Sequence, residues 1–277
     1  MKHRAALFTL FFFIPFLSAC VTTSGVTRGE SASHPSVGVD VGEASSFRSL
    51  VSAKELESAA AKEYNSIIQK AQKELVTNTA QGQRVVGIAK RIIAFAPLFN
   101  EDAKDWEWEV NLIKSDAINA FCMPGGKIAF YTGLTEGLKL TDDEIAIVMG
   151  HEAAHALREH ARAQIGKSRV TSVGASLLGI FVGGGQYDRV FGFGANLLTL
   201  KFSRDDESEA DLVGIDLAAR AGFDPRAGIT LWQKMAAAGG GSPIPWFSTH
   251  PGSANRIQEI EAALPKVMPL YEEASKK

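Results

Sequence analysis

Residues 141–164 read TDDEIAIVMGHEAAHALREHARAQ, and no other stretch of the chain restricts its fold as tightly. Thr141 with Glu144 three residues on is a capping box, which predicts a helix starting there. Ile145, Val148 and Met149 give that helix an apolar face at helical spacing, and so a place in a core. Inside it lies His151-Glu152-Ala153-Ala154-His155. At about 100° per residue the two histidines sit one turn apart on one face, where two imidazoles can share a metal ion. Glu152 is turned to the side, within reach of a water beside the metal but not positioned to bind the metal itself. The competing reading is a surface helix with two histidines by chance, and the apolar run Ile145–Met149 argues against it. His160 falls about 180° from His151 on a continuous helix, which excludes it as a ligand candidate.

A third ligand is sought in Ser203-Arg204-Asp205-Asp206-Glu207-Ser208-Glu209-Ala210-Asp211. This stretch opens a second helix that runs to about Ala221, with Gly222 as its stop. Hydrolytic zinc sites commonly take three protein ligands and leave a fourth position for water, and two histidines with one glutamate is a known set. Glu207 and Asp211 are one turn apart, so one carboxylate can bind metal while the other hydrogen-bonds a ligand histidine. Glu209 points elsewhere and is expected in solvent. An acidic helix start is common in itself because it complements the helix dipole. Its weight here comes from the HExxH pattern about 50 residues earlier.

The N-terminus reads as a targeting segment. Lys2, His3 and Arg4 precede an apolar run over 5–17 that is too short to span a bilayer. Leu17-Ser18-Ala19-Cys20 resembles the bacterial lipobox, which implies a signal peptide over 1–19 and lipidation of Cys20. Val21 in place of an aspartate favours, by the same resemblance and for a Gram-negative source, the outer membrane facing the periplasm. Residues 20–50, rich in Ser, Gly and Thr, are expected to form a flexible tether. Only one other cysteine exists, Cys122, so no disulfide framework is expected. A net charge of −2 offers nothing to attract nucleic acid.

With 277 residues, 45% of them apolar, the chain can bury one sizeable core, assigned to 51–265 with a tail over 266–277. Helices are expected over about 53–75 and 81–95. Trp106, Trp108, Val110 and Leu112 alternate as in a strand, and a hairpin turns at Pro124-Gly125-Gly126. One edge of that hairpin could pair with an extended peptide. Cys122 is expected to act as a small buried apolar residue. The Gly-rich apolar stretch 170–200, broken at Gly183-Gly184-Gly185, is open to three readings, a helical hairpin closing the core, a mobile cover over the site or a surface that dips into lipid, of which core packing with some mobility is favoured. Asp224-Pro225 starts a further helix ending at Gly239, and Ser253 caps a last one to about Leu264. These elements predict an α+β, mainly helical fold with a small sheet beside the HExxH helix.

HExxH followed by SRxxExxAD, with Asn119-Ala120-Phe121 and Pro124-Gly125-Gly126 ahead, resembles the gluzincin metallopeptidases of the HtpX and CAAX-prenyl-protease type. The resemblance covers roughly 53–264. The lipobox is similar to that of the periplasmic lipoprotein branch, LoiP-like with the BepA protease domain related. The array of helical repeats that BepA-like members carry is not expected here. The resemblance implies a zincin-type fold and one Zn2+ per chain held by His151, His155 and Glu207. It also implies Glu152 as general base and Asp211 behind a ligand histidine. Ser248-Thr249-His250-Pro251 is similar to a family element whose histidine can approach the zinc, which makes His250 a candidate latch. His250, Arg204 and Tyr131 are candidate oxyanion donors. The implied activity is hydrolysis of misfolded or damaged envelope proteins, with the membrane as partner through the lipid. The alternative is a non-proteolytic or latched envelope chaperone or scaffold that keeps the metal site.

Overall fold

The structure, a computed structural model, describes residues 38–182, 197–239, 244–252 and 255–276. The expected signal segment 1–19, Cys20 and most of the expected tether lie outside the described residues, as do 183–196 and Ser253.

The helices are α1 (Ala53–Lys70), α2 (Ala80–Ile93), α3 (Asp142–Leu157), α4 (His160–Val182), α5 (Arg204–Arg220), α6 (Ala227–Ala238) and α7 (Arg256–Ala274). Three strands, β1 (Glu109–Ile113), β2 (Ala120–Met123) and β3 (Lys127–Tyr131), form one sheet in the order β1-β3-β2. The fold is α+β and mainly helical, with the small sheet beside α3, as the sequence predicts. β2 and β3 pair antiparallel across the Pro124-Gly125-Gly126 turn, and β1 pairs parallel to β3. Among the described residues that leaves β2 on an edge. Trp106 and Trp108 stand before β1 rather than in it, following a 3-10 turn over Glu101–Asp105. The Trp108 ring lies over Gly126, where a Cβ would come within 2.6 Å of it, and Gly126 also has φ +79°. Only glycine meets both demands.

The capping box at Thr141 forms as expected, Glu144 N–H donating to Thr141 Oγ1 and Thr141 N–H to Glu144 Oε2. Fourteen of the sixteen residues of α3 are buried, so it is enclosed on all sides and does not merely rest one stripe on a core. Every buried polar side chain it carries must therefore find a partner inside the protein. Burial of Glu144 alone would push its carboxyl up. Hydrogen bonds from Lys234, the Thr141 backbone and Thr230 overcome that and hold it below the usual range.

α3 and α5 touch backbone to backbone. A Cβ on Gly150 would lie 2.5 Å from the Gly214 carbonyl oxygen, and one on Gly214 would lie 2.8 Å from the His151 nitrogen. This contact sets the distance between the helix bearing the two histidines and the helix bearing Glu207. Gly214→Ala should force the pair apart at a cost of about 1–3 kcal/mol. A urea midpoint equal to that of the unaltered chain would show that the helices can separate freely.

Three sequence expectations are corrected, and a fourth is tested only in part. The HExxH helix is not continuous to 164: it ends at Leu157, and Glu159 takes φ +56° before α4 begins. A left-handed conformation at a residue other than glycine costs about 1–2 kcal/mol, offset here by ion pairs from Glu159 to Arg48 and Arg162. Residues 38–50 are not a free tether. Val39 N–H donates to the buried Asp216, Arg158 donates to the Gly42 carbonyl, and the 3-10 turn Ser46–Leu50 packs on α4. The last helix does not stop near Leu264 but continues through Pro265 and Pro269 to Ala274, because Val267 is buried and Leu270 and Tyr271 pack on the core. Within 170–200, α4 runs unbroken from His160 to Val182, and the return half of the expected hairpin falls outside the described residues.

Candidate metal centre

Spacing on α3 brings His151 and His155 together, and the Gly150–Gly214 contact brings α5 beside them. His151 Nε2 lies 3.1 Å from His155 Nε2, and Glu207 Oε1 lies 3.4 Å from His155 Nε2. A fourth atom completes the group: His250 Nδ1, 3.4 Å from His151 Nε2 and 3.0 Å from Glu207 Oε1. All four side chains are buried, and one ligand atom from each lies within 4.8 Å of the others.

These separations fit a tetrahedral cation. Metal–ligand bonds of about 2.0–2.1 Å imply ligand–ligand edges of about 3.3–3.4 Å. The charge states of His155 and Glu207 suit one too, whereas at His250 burial is outweighed by the Glu152 and Glu207 carboxylates, which raise its pKa and favour the protonated ring. Burial comes first in pushing the His155 pKa well below its usual value, which leaves a bare nitrogen. Burial opposes ionisation of Glu207, but hydrogen bonds to His155 and His250 prevail and hold its carboxyl well below the usual range.

A second layer supports the four. His151 Nδ1 donates to Asp211 Oδ1 at 3.0 Å, which turns its Nε2 lone pair toward the centre. Arg256, at the first position of α7 and almost fully buried, binds both carboxylates. Its Nε reaches Asp211 Oδ2 at 2.5 Å, one terminal nitrogen reaches Asp211 Oδ1 at 2.7 Å and the other reaches Glu207 Oε2 at 2.8 Å. Its guanidinium lies 3.7 Å from the centroid of the Trp232 ring. Burial would raise the Asp211 pKa, but the Arg256 charge and the His151 hydrogen bond hold it below the usual value. Glu152 stands beside the centre rather than in it, its Oε1 accepting from Trp246 Nε1 at 2.7 Å. The Trp246 ring stacks on His250 at 4.7 Å.

Beside the centre is a cleft lined by residues 119–124, including β2, and by Leu200, Phe202, Pro245 and Thr249. Glu152, His155 and His250 line it as well. Cys122 faces it half-buried, with burial pushing its thiol pKa well up, so it is not poised as a nucleophile.

The structure brings together His151, His155, Glu207, Asp211, Glu152 and His250. Arg204 is exposed at the start of α5, Tyr131 is half-buried against Phe121, and neither lines the cleft. His250, the candidate latch, completes a group of four with the three expected ligands. One expectation fails. Glu209 is not solvated: it pairs with Arg158 and lies 3.5 Å from His160, whose ring the break at Glu159 has swung beside His155. Sequence reasoning passed over Arg256 and Trp246 altogether.

Residues 80–264 match the profile of Peptidase family M48, a span holding every residue of the centre. The chain belongs to peptidase family M48. Among M48-related proteins, the mitochondrial metalloendopeptidase OMA1 of Schizosaccharomyces pombe is 37% identical over 183 residues, covering 65% of this chain and 52% of that protein. OMA1 of Arabidopsis thaliana is 38% identical, covering 56% of this chain and 31% of that one. The metalloprotease LoiP of Escherichia coli K12 is 31% identical over 176 residues, covering 62% and 69%. The chain thus spans about half or less of the length of these two OMA1 proteins. Identity to both exceeds that to LoiP, so similarity does not select the lipoprotein branch of M48.

Proposed function

We propose that the chain is a zinc-dependent endopeptidase anchored as a lipoprotein at the outer membrane of a Gram-negative cell, facing the periplasm. On this reading it hydrolyses misfolded or damaged envelope proteins. The observation that carries the peptidase reading is the buried ring of His151, His155, Glu207 and His250 with the Glu152 carboxylate at its side. The names of the relatives, metalloendopeptidase and metalloprotease, support it. The lipobox at Cys20 supports the anchor, and a tethered chain needs no membrane-crossing helix.

Zinc bound here would polarise the scissile carbonyl and lower the pKa of a water. The protein's own groups do the rest. The Trp246 hydrogen bond fixes one oxygen of Glu152, leaving the other to take a proton from a water in the cleft and return it to the leaving amine. Asp211 and Arg256 hold His151 and Glu207 in place, and the outer edge of β2 offers main-chain groups to an extended substrate. Incubation of the purified full chain with casein, with and without a zinc chelator, tests the activity. Cleavage stopped by the chelator and restored by added zinc is expected. Cleavage indifferent to the chelator would refute the proposal.

One observation favours the alternative of a latched protein. Four protein ligands close a tetrahedral zinc, as structural sites do, whereas catalytic sites keep a position open. With His250 in place the conformation described here is a closed one. Removing that side chain should therefore raise basal casein cleavage, by several-fold if opening limits the rate. Lower or unchanged activity of His250→Ala would show that His250 is not a latch.

A further inference from the structure

The two ligand histidines of α3 are backed differently. His151 has the usual carboxylate behind it, Asp211. Behind His155 stands another imidazole: His160 Nδ1 lies 2.9 Å from His155 Nδ1, and both rings are buried. Two such nitrogens can share only one proton. If it belongs to His160 Nδ1, the His155 proton must sit on Nε2, aimed at Glu207 and His151, and His155 cannot bind a cation. If it belongs to His155 Nδ1, the Nε2 lone pair is free for the metal. The proton of His160 then sits on its own Nε2.

That Nε2 faces two carboxylates of the first turns of α5, Glu209 Oε2 at 3.5 Å and Asp206 Oδ1 at 3.9 Å. It is otherwise a buried nitrogen without a well-formed hydrogen bond. Arg158, at the C-terminus of α3, holds Glu209 in place and donates its other end to the Gly42 carbonyl at 2.7 Å. The strained Glu159 makes this possible, since on an unbroken helix His160 would point away from His155.

We infer that His160 is a positioning residue for the metal: backed by Glu209, it sets the His155 tautomer that can bind a cation. The inference rests on the metal-centre reading above. It asks for an acceptor at the His160 Nδ1 position, which an asparagine amide oxygen can supply and a leucine of similar bulk cannot.

The test is zinc affinity by chelator competition on the full chain, the His160→Leu chain and the His160→Asn chain. Loss of such a partner typically weakens metal binding about 10- to 100-fold. That loss is expected for His160→Leu, with His160→Asn recovering most of it. The inference is overturned if His160→Leu binds zinc as tightly as the unaltered chain, or if His160→Asn is no better than His160→Leu. An unaltered chain that binds no zinc would instead overturn the metal-centre reading, and this inference with it.

Discussion

Glu152→Gln should remove nearly all casein cleavage while leaving zinc affinity and melting temperature close to those of the unaltered chain. Glutamine has the shape of glutamate, and its amide oxygen can still accept from Trp246 Nε1, so the buried side chain keeps its place. It cannot take up a proton. General-base catalysis contributes about 10²–10⁴ in rate, so kcat should fall by at least the lower figure, with KM changing little. Glu152 is not among the four clustered ligand residues, which is why metal binding should be spared. In cells the same variant separates the two readings: a protease loses its function, whereas a scaffold keeps it. Retention of more than about a tenth of kcat would exclude Glu152 as the base.

Arg256→Ala should have the largest effect on stability. The guanidinium is buried and sits between Glu207 and Asp211, and its removal leaves two buried carboxylates without their shared counter-charge. Breaking a buried charge network from one side costs about 3–5 kcal/mol. For a domain of this size that corresponds to a fall of about 6–20 °C in Tm. The contact with Trp232 is lost as well. Zinc should recover part of the loss, because a cation beside Glu207 replaces some of the missing charge. Arg256→Lys should fall between the two, since an ammonium cannot fork across both carboxylates. Calorimetry with and without zinc measures all of this. A shift below about 2 °C for Arg256→Ala would mean that the network adds nothing net.

The centre was legible where its geometry is local. The capping box at Thr141 and the histidine spacing lie within one helix, so sequence alone places that helix and turns both imidazoles to one side. The spacing of Glu207 and Asp211 restricts the third ligand to one helix face without choosing between them. Only the approach of α5 through Gly214 puts Glu207 in the ring and Asp211 behind His151. The break at Glu159 left no mark, because the turn uses neither glycine nor proline and is held by Arg48, more than a hundred residues earlier. Arg256 and Trp246 come from the far end of the chain, where no period announces them. One signal was available for Arg256: an arginine in the first turn of a helix opposes the dipole, and so asks for a buried acid nearby.

The edge of β2 beside Glu152, unpaired among the described residues, has a consequence for what the proposed enzyme can discriminate. Contacts to a substrate's main chain are the same for every sequence, so such an edge selects for segments able to leave their own structure and lie extended. The barrier it senses is the free energy of local opening in the substrate. For a folded protein in fast exchange with its open form, the cleavage rate should track the open fraction, falling tenfold for each 1.4 kcal/mol of added local stability. A damaged protein would then be recognised by how often it opens, without any motif to mark it.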